Sequence, residues 1–307
     1  MNNTIEKIKG LTYGVEIECE RITQKRAANI VAEVTGGTAD WRGTHLNNYE
    51  VTQPDGRKWQ VVSDGSLCGD SAEVVTPVMR YEDTETVQEV LRRLRRAGAT
   101  WNERTGLHIH VGGGDMKPVQ IVNLIKIFYK QEELILKAAG TQARRIGRYT
   151  RKLGHSFLEK VAKLKANATM NDLNEAWFGR LNLDPYHYDQ HRYRDLNLNN
   201  FWGCHAKKTV EFRFFEGTGH AGILRANILL ALSLVAFAKE AKAASMKNQK
   251  AYDETTAKFD FRVFLLRLGW KGEEFKNPRK HLLANLPGDA AFRTGRPART
   301  ANAQVAA

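Results

Sequence analysis

The chain has 307 residues, and its 47 Lys and Arg against 34 Asp and Glu leave a formal charge of +13. With 42% hydrophobic and 9% aromatic residues it can bury a core, while 25 Gly and 7 Pro exclude collagen-like and low-complexity classes. The longest charge-free run of the most apolar segment, Ala226–Ala238, falls short of the ~20 residues a bilayer requires, so no membrane span is expected.

The N-terminal stretch lacks the apolar core of a secretory signal. From Thr12 to Glu20 the chain alternates strictly, with Tyr13, Val15, Ile17 and Cys19 on one side and Gly14, Glu16, Glu18 and Glu20 on the other. That period predicts a half-polar strand. Pro54-Asp55-Gly56 predicts a hairpin turn between Tyr49–Gln53 and Lys58–Val62. Ala72–Pro77 reads as a strand ended by its proline, and Glu82–Ala97 as a helix on the spacing of Val87, Val90, Leu91 and Leu94.

Leu107, Ile109 and Val111 alternate with His108 and His110 in a strand that runs into Gly112-Gly113-Gly114. Asp115 and Pro118 signal the start of a helix reaching about Ala139. Thr141–Lys165 is a basic block, either a solvated helix and loop or a contact for phosphate or an acidic substrate. Val210, Phe212 and Phe214 alternate with Glu211, Arg213 and Phe215, another strand, and Ala221–Ala244 is the most apolar helix. No repeat or Pro/Ser/Gly linker divides the chain. One domain over residues 1–288 is expected, with a flexible tail over 289–307. The mixed order of strands and helices predicts an α+β fold with a largely antiparallel, curved sheet backed by helices.

Several strands point acids or imidazoles to one side and hydrocarbon to the other. Glu16 and Glu18 share a face, as do His108 and His110, and Glu211 and Arg213. Asp64 and Glu73 flank Gly65-Ser66-Leu67 on a hairpin or strand pair. Taken singly, each pair has a plainer reading: a solvated strand face, packed histidines, a surface ion pair. On one sheet they would gather carboxylates so closely that a cation must neutralise them. Oxygen donors with one or two histidines suit Mg²⁺ or Mn²⁺ better than zinc. An arginine in the cluster makes sense where an anion such as phosphate bridges to the metal. Gly112–Gly114 reads as a turn more readily than as a phosphate cradle, and Cys204-His205 lacks the second cysteine pair of a zinc site. Cys19, Cys68 and Cys204 cannot all pair, so a reducing cytoplasm is the expected setting.

The phrases YGVEIECE, VVSDGSLCG–SAEVVTPV, TGLHIHVG and RYRDLNLNN–TVEFRFFEGT follow one another in this order. Together they resemble the amidoligase family, carboxylate–amine ligases that share the glutamine synthetase and glutamate–cysteine ligase fold. The resemblance spans about Tyr13 to Gly219. It implies that Glu16 and Glu18 divide between two metal sites, with Asp64 and Glu73 in the first and His108 and Glu211 in the second. It further implies phosphate or nucleotide contacts from His110 and Arg213. Arg194, or less readily Arg192, would hold phosphate or the substrate carboxylate.

The implied reaction uses ATP and Mg²⁺, with Mn²⁺ as an alternative, and turns a small-molecule or peptide carboxylate into an acyl phosphate that an amine attacks. Such chemistry needs water excluded, and the expected cover is Thr141–Lys165 or the Asn182–Tyr193 stretch with Tyr186, His187 and Tyr188. Two other classes use the same features. A metal-dependent hydrolase would need the same ligands without ATP, and a nucleic-acid-binding protein would use the net charge. For the latter, the sequence lacks an aromatic RNA-binding signature, a zinc knuckle and helix-turn-helix spacing. No heptad sets an oligomeric state.

Overall fold

A computed structural model describes residues 4–43, 48–186, 188–203, 207–247, 249 and 251–295. A short helix, α1 (Thr4–Lys9), leads into strand β1 (Tyr13–Glu20). Tyr13, Val15, Ile17 and Cys19 are all buried, as the alternation requires. Helix α2 (Gln24–Thr35) begins where Thr23 accepts the Arg26 N–H and stops at Gly36 in the left-handed conformation. Strands β2 (Thr38–Trp41), β3 (Tyr49–Thr52) and β4 (Lys58–Val62) then form a meander. The Pro54–Gly56 turn is present, closed by the Gly56 N–H donating to Gln53 O at 2.9 Å.

Strand β5 (Ser71–Val75) follows the Asp64 loop, and helix α3 (Thr84–Arg96) buries Val87, Val90, Leu91 and Leu94. Strand β6 (Gly106–Gly112) leads to α4 (Pro118–Ala138), with proline in the first turn. The basic block is helical only in α5 (His155–Lys163), which packs on α6 (Met170–Phe178). Strands β7 (Leu196–Asn197) and β8 (Thr209–Glu216) are followed by α7 (Ala221–Glu240), α8 (Ala257–Arg267) and α9 (Lys276–Ala284).

Among the described residues, all the strands join one eight-stranded sheet in the order β2-β3-β4-β5-β1-β6-β8-β7. Every ladder is antiparallel. The fold is thus α+β, with helices backing an antiparallel sheet. The order sets β5, β1, β6 and β8 side by side, although their motifs lie far apart in sequence. α2 packs on β3, β4 and β5, α7 on β6, and α3, α4 and α9 on α7, so one continuous core runs from Ile8 to Leu286.

β8 departs from simple alternation. Its ladder with β6 shifts register between Leu107↔Phe215 and Ile109↔Phe212. His108 therefore opposes two residues, Arg213 and Phe214, which is a β-bulge. The alternation places Phe215 beside Glu211 and Arg213; the bulge instead sets it opposite Leu107, fully buried, with its ring 4.2 Å from that of Phe214.

α7 is longer than its charge-free run suggested. By length and composition it could cross a membrane, but 72% of that stretch is buried within the protein. Trp270 Nε1 donates to Ser233 Oγ in its middle at 2.7 Å, as befits a core helix. The expected extension to Ala244 does not form, because the backbone turns extended at Ala241. Cys204, His205, His187 and residues 296–307 lie outside the described residues, and with them the suggested zinc fragment and most of the expected tail.

Candidate metal centre

Register alone brings the acids together. Glu18 lies opposite Glu73 across β1 and β5, Glu16 opposite His108 across β1 and β6, and His110 opposite Glu211 across β6 and β8. His108 Nδ1 is 2.9 Å from Glu16 Oε2, and its Nε2 is 3.6 Å from Glu18 Oε1. His110 Nε2 is 3.0 Å from Glu16 Oε1, with its Nδ1 3.2 Å from Thr209 Oγ1. Asp64 enters from the loop after β4, where its side chain accepts the Ser66 N–H at 2.6 Å.

Three groups of donor atoms result, each with all atoms within 4.8 Å of one another: Glu16, His110 and Glu211; Glu16, Glu73 and His108; and Glu18, Asp64 and Glu73. The last brings Asp64 and Glu73, expected together at the first site, onto Glu18. In the other two the histidines divide, although both reach Glu211 Oε1, His108 Nδ1 at 3.9 Å and His110 Nε2 at 4.0 Å. His110 completes the group with Glu211, which faces it in the ladder, and His108 joins Glu16 and Glu73.

The charges are tightly balanced. Burial opposes ionisation of Glu16, yet His110 and His108 hold its carboxyl well below the usual range. Glu211 is likewise buried, but Arg213 and His110 bring it down to about 2. Glu73 goes the other way: burial, then the charges of Glu16, Glu18 and Asp64, push it well up. A carboxyl crowded in this way holds either a proton or a cation. The donors, carboxylate oxygens with imidazole nitrogens, fit a hard divalent ion.

Arg213 donates to Glu211 from Nη1, and its buried Nε has no protein partner among the described residues. Arg194 is placed elsewhere. Its guanidinium lies 4.2 Å from the Trp177 ring centroid and 4.6 Å from that of Phe157, and burial lowers its pKa to about 10. Arg192 stacks on Tyr188 and Tyr193. The structure thus gathers Glu16, Glu18, Asp64, Glu73, His108, His110, Glu211 and Arg213, and sets Arg192 and Arg194 against aromatic rings.

Sequence reasoning missed four supporting residues. Asn197 and Asn200 donate to Glu211 Oε2 at 2.7 and 3.3 Å, and both lie inside the RYRDLNLNN phrase. Arg145, from the basic block, is only 2% exposed and donates to the carbonyls of Thr105 and Arg213 at 3.2 and 3.4 Å. Gly106 makes room for it: a Cβ there would stand 2.3 Å from Arg145 Nη2 and 3.1 Å from Glu18 Oε2. The Gly106 N–H also donates to Glu18 Oε2 at 2.5 Å. At the other end of β6, a Cβ on Gly113 would meet the Phe201 ring at 2.7 Å, so close packing accounts for this glycine of the expected turn.

The basic block divides. Arg144, Arg148, Arg151, Lys152, Lys160, Lys163 and Lys165 are exposed, whereas Arg145 is core. Its first half is pinned at many points: Thr141 Oγ1 to Phe214 O at 2.8 Å, Arg151 N–H to Tyr193 O at 2.7 Å, Leu153 N–H to Glu132 Oε1 at 3.0 Å, and Thr150 Oγ1 to Asp195. That anchoring suits a wall better than a lid. In the Asn182–Tyr193 stretch, Tyr186 and Tyr188 stand in solvent.

One family model, described as "Putative amidoligase enzyme", matches residues 9–235 of the chain. No curated protein matches it. The matched span holds all eight residues of the acidic centre.

Proposed function

The chain belongs to the amidoligase family and is by that membership a ligase, and from this premise we propose that it joins a carboxylate to an amine using ATP and Mg²⁺ or Mn²⁺ through an acyl phosphate. We further read its sheet as one of glutamine synthetase type. The observation that carries the reading is the convergence of Glu16, Glu18, Asp64, Glu73 and Glu211 on one centre that also holds two imidazoles and the Arg213 guanidinium. An acid cluster this crowded calls for divalent cations, and an arginine beside it calls for a bridging anion.

Glu18, Asp64 and Glu73 would hold one ion, and Glu16, His110 and Glu211 another. Divalent cations there supply charge neutralisation to a polyphosphate. The protein's own groups do the positioning. Asn197 and Asn200 fix the Glu211 carboxylate, Thr209 orients His110, and Gly106 N–H fixes Glu18. Arg213 Nε remains available to donate to a phosphoryl or carboxylate oxygen. Amide formation from a free carboxylate is uphill in water, so activation at this face replaces any need for a protein nucleophile. A reducing, cytoplasmic setting suits Cys19 and Cys68, which are both free thiols.

The test supplies ATP, Mg²⁺, hydroxylamine as the amine and a panel of amino acids and acidic peptides. The expected product is a hydroxamate, formed with stoichiometric ADP and lost in Glu16→Ala and Glu211→Ala. A confirmed turnover that survives both substitutions would reject the site. Metal-dependent ester hydrolysis without ATP would replace the ligase reading with the hydrolase one.

A further inference from the structure

A run of stacked guanidinium and tyrosine groups leads from the acidic centre to the surface. Arg213, bonded to Glu211, lies 5.8 Å from the Tyr193 ring centroid. Arg192 lies 5.8 Å from that same ring and 5.6 Å from the ring of Tyr188. Tyr188 in turn meets Tyr186 edge-on at 5.7 Å. Exposure grows outward along the run, from 7% at Arg213 to 61% at Tyr188 and 71% at Tyr186.

The outer end is braced. Asn182 and Asn174 exchange two hydrogen bonds, Leu183 O accepts the Gly203 N–H at 2.8 Å, and Tyr186 O accepts the Asp189 N–H at 2.9 Å. Leu181 and Leu183 of the same loop are 47% and 54% exposed. Scattered exposed apolar residues need no explanation, but four on one braced loop mark an interaction surface.

We propose that this ladder seats the acid substrate, and that the substrate is an acidic peptide: the reacting carboxyl lies at Arg213 and the rest of the peptide runs along Tyr193, Arg192, Tyr188 and Tyr186. The inference rests on the ligase reading above. A free amino acid would fit the inner end alone and leave the outer tyrosines without a role. Guanidinium groups take carboxylates in a planar, two-bond geometry, while tyrosines offer rigid area and a hydroxyl to a peptide chain. A single-stranded nucleic acid fits less well, because successive bases need parallel ring faces. Here Tyr186 and Tyr188 are tilted by 60°, and Arg192 lies over Tyr188 and Tyr193.

The test is fluorescence anisotropy of a labelled hexaglutamate peptide with the full chain, with and without Mg²⁺ and a non-hydrolysable ATP analogue. Tyr186→Ala/Tyr188→Ala should weaken binding by about tenfold or more, as loss of two aromatic anchors does. Tyr188→Phe, which keeps the ring, should bind within about threefold of wild type. Both tyrosines are exposed, so an unchanged Tm checks that the fold is kept. A thymidine oligonucleotide of equal length should be insensitive to the substitutions. The proposal is overturned if the wild type binds no peptide in either condition, or if the double variant binds it equally, which would leave net charge as the cause. It is also overturned if the oligonucleotide binds more tightly and loses affinity with the tyrosines. Since no turnover is read, failure here is distinguishable from failure of the ligase assay.

Discussion

Glu132 in α4 is only 4% exposed, and its Oε1 accepts the Leu153 N–H at 3.0 Å. Burial raises its pKa to about 7, with the nearby Asp195 adding to the rise and the Leu153 amide and Lys152 opposing it. The folded chain therefore keeps a proton there that the unfolded chain releases near pH 4.5. The stability this group contributes is complete below about pH 4.5, falls as pH climbs through about 7, and is flat beyond. A rise from 4.5 to about 7 corresponds to at most about 3 kcal/mol.

Glutamine keeps the acceptor for Leu153 and nearly the same volume, and it removes the charge. Glu132→Gln should thus be near neutral at about pH 4.5 and more stable than wild type by up to about 3 kcal/mol at about pH 8. Asp195, itself raised to about 6 by burial, is relieved of a neighbour, which acts in the same direction. Urea midpoints of both proteins, measured in parallel at the two pH values, read the difference. An equal gap between them at both would show that Glu132 is not held protonated by the fold, and would refute the reasoning.

Three further outcomes follow from the site. Asn197→Ala, which removes the 2.7 Å donor to Glu211, should weaken Mn²⁺ binding by about 10- to 100-fold in titration calorimetry; an unchanged isotherm would dismiss its orienting role. Gly106→Ala forces a methyl against Arg145 and Glu18 and should cost about 1–3 kcal/mol, seen as a lower Tm. Adding Mg²⁺ or Mn²⁺ to metal-stripped protein should raise its Tm, by about 2.7 kcal/mol of stabilisation at a hundredfold excess over Kd, and Glu211→Gln should remove most of that gain.

The strands of the site could be read from the sequence because their two faces face different media. β1 and β6 put hydrocarbon on the core side and acids or imidazoles on the other, so a period of two survives in full. α3 and α4 were equally plain, one by spacing and one by its proline. What escaped notice carried weaker signals. β7 is two residues long, and α6 spans barely two turns, although Thr169 and Asp172 form a capping box at its start. Helices α2, α5, α8 and α9 have short or incomplete apolar stripes. Arg145 could not be told from its neighbours, since the seven other basic residues of its block are solvated and burial depends on a glycine 39 positions away. Which of His108 and His110 serves Glu211 is left open by the H-x-H spacing, and register sets both within reach of it, at 3.9 and 4.0 Å.

The bulge in β8 also bears on which insertions and deletions the sheet can tolerate. In a regular ladder, losing one residue turns every later side chain to the opposite face, and in β1 that would drive glutamates into hydrocarbon. Between Phe212 and Phe215 the count is already one residue in excess over β6. Shortening the chain by Phe214 would straighten the strand while leaving Glu211 toward the acids and Phe215 toward Leu107. A natural length variant of this domain is therefore expected here, in the middle of its functional sheet, rather than only in its loops.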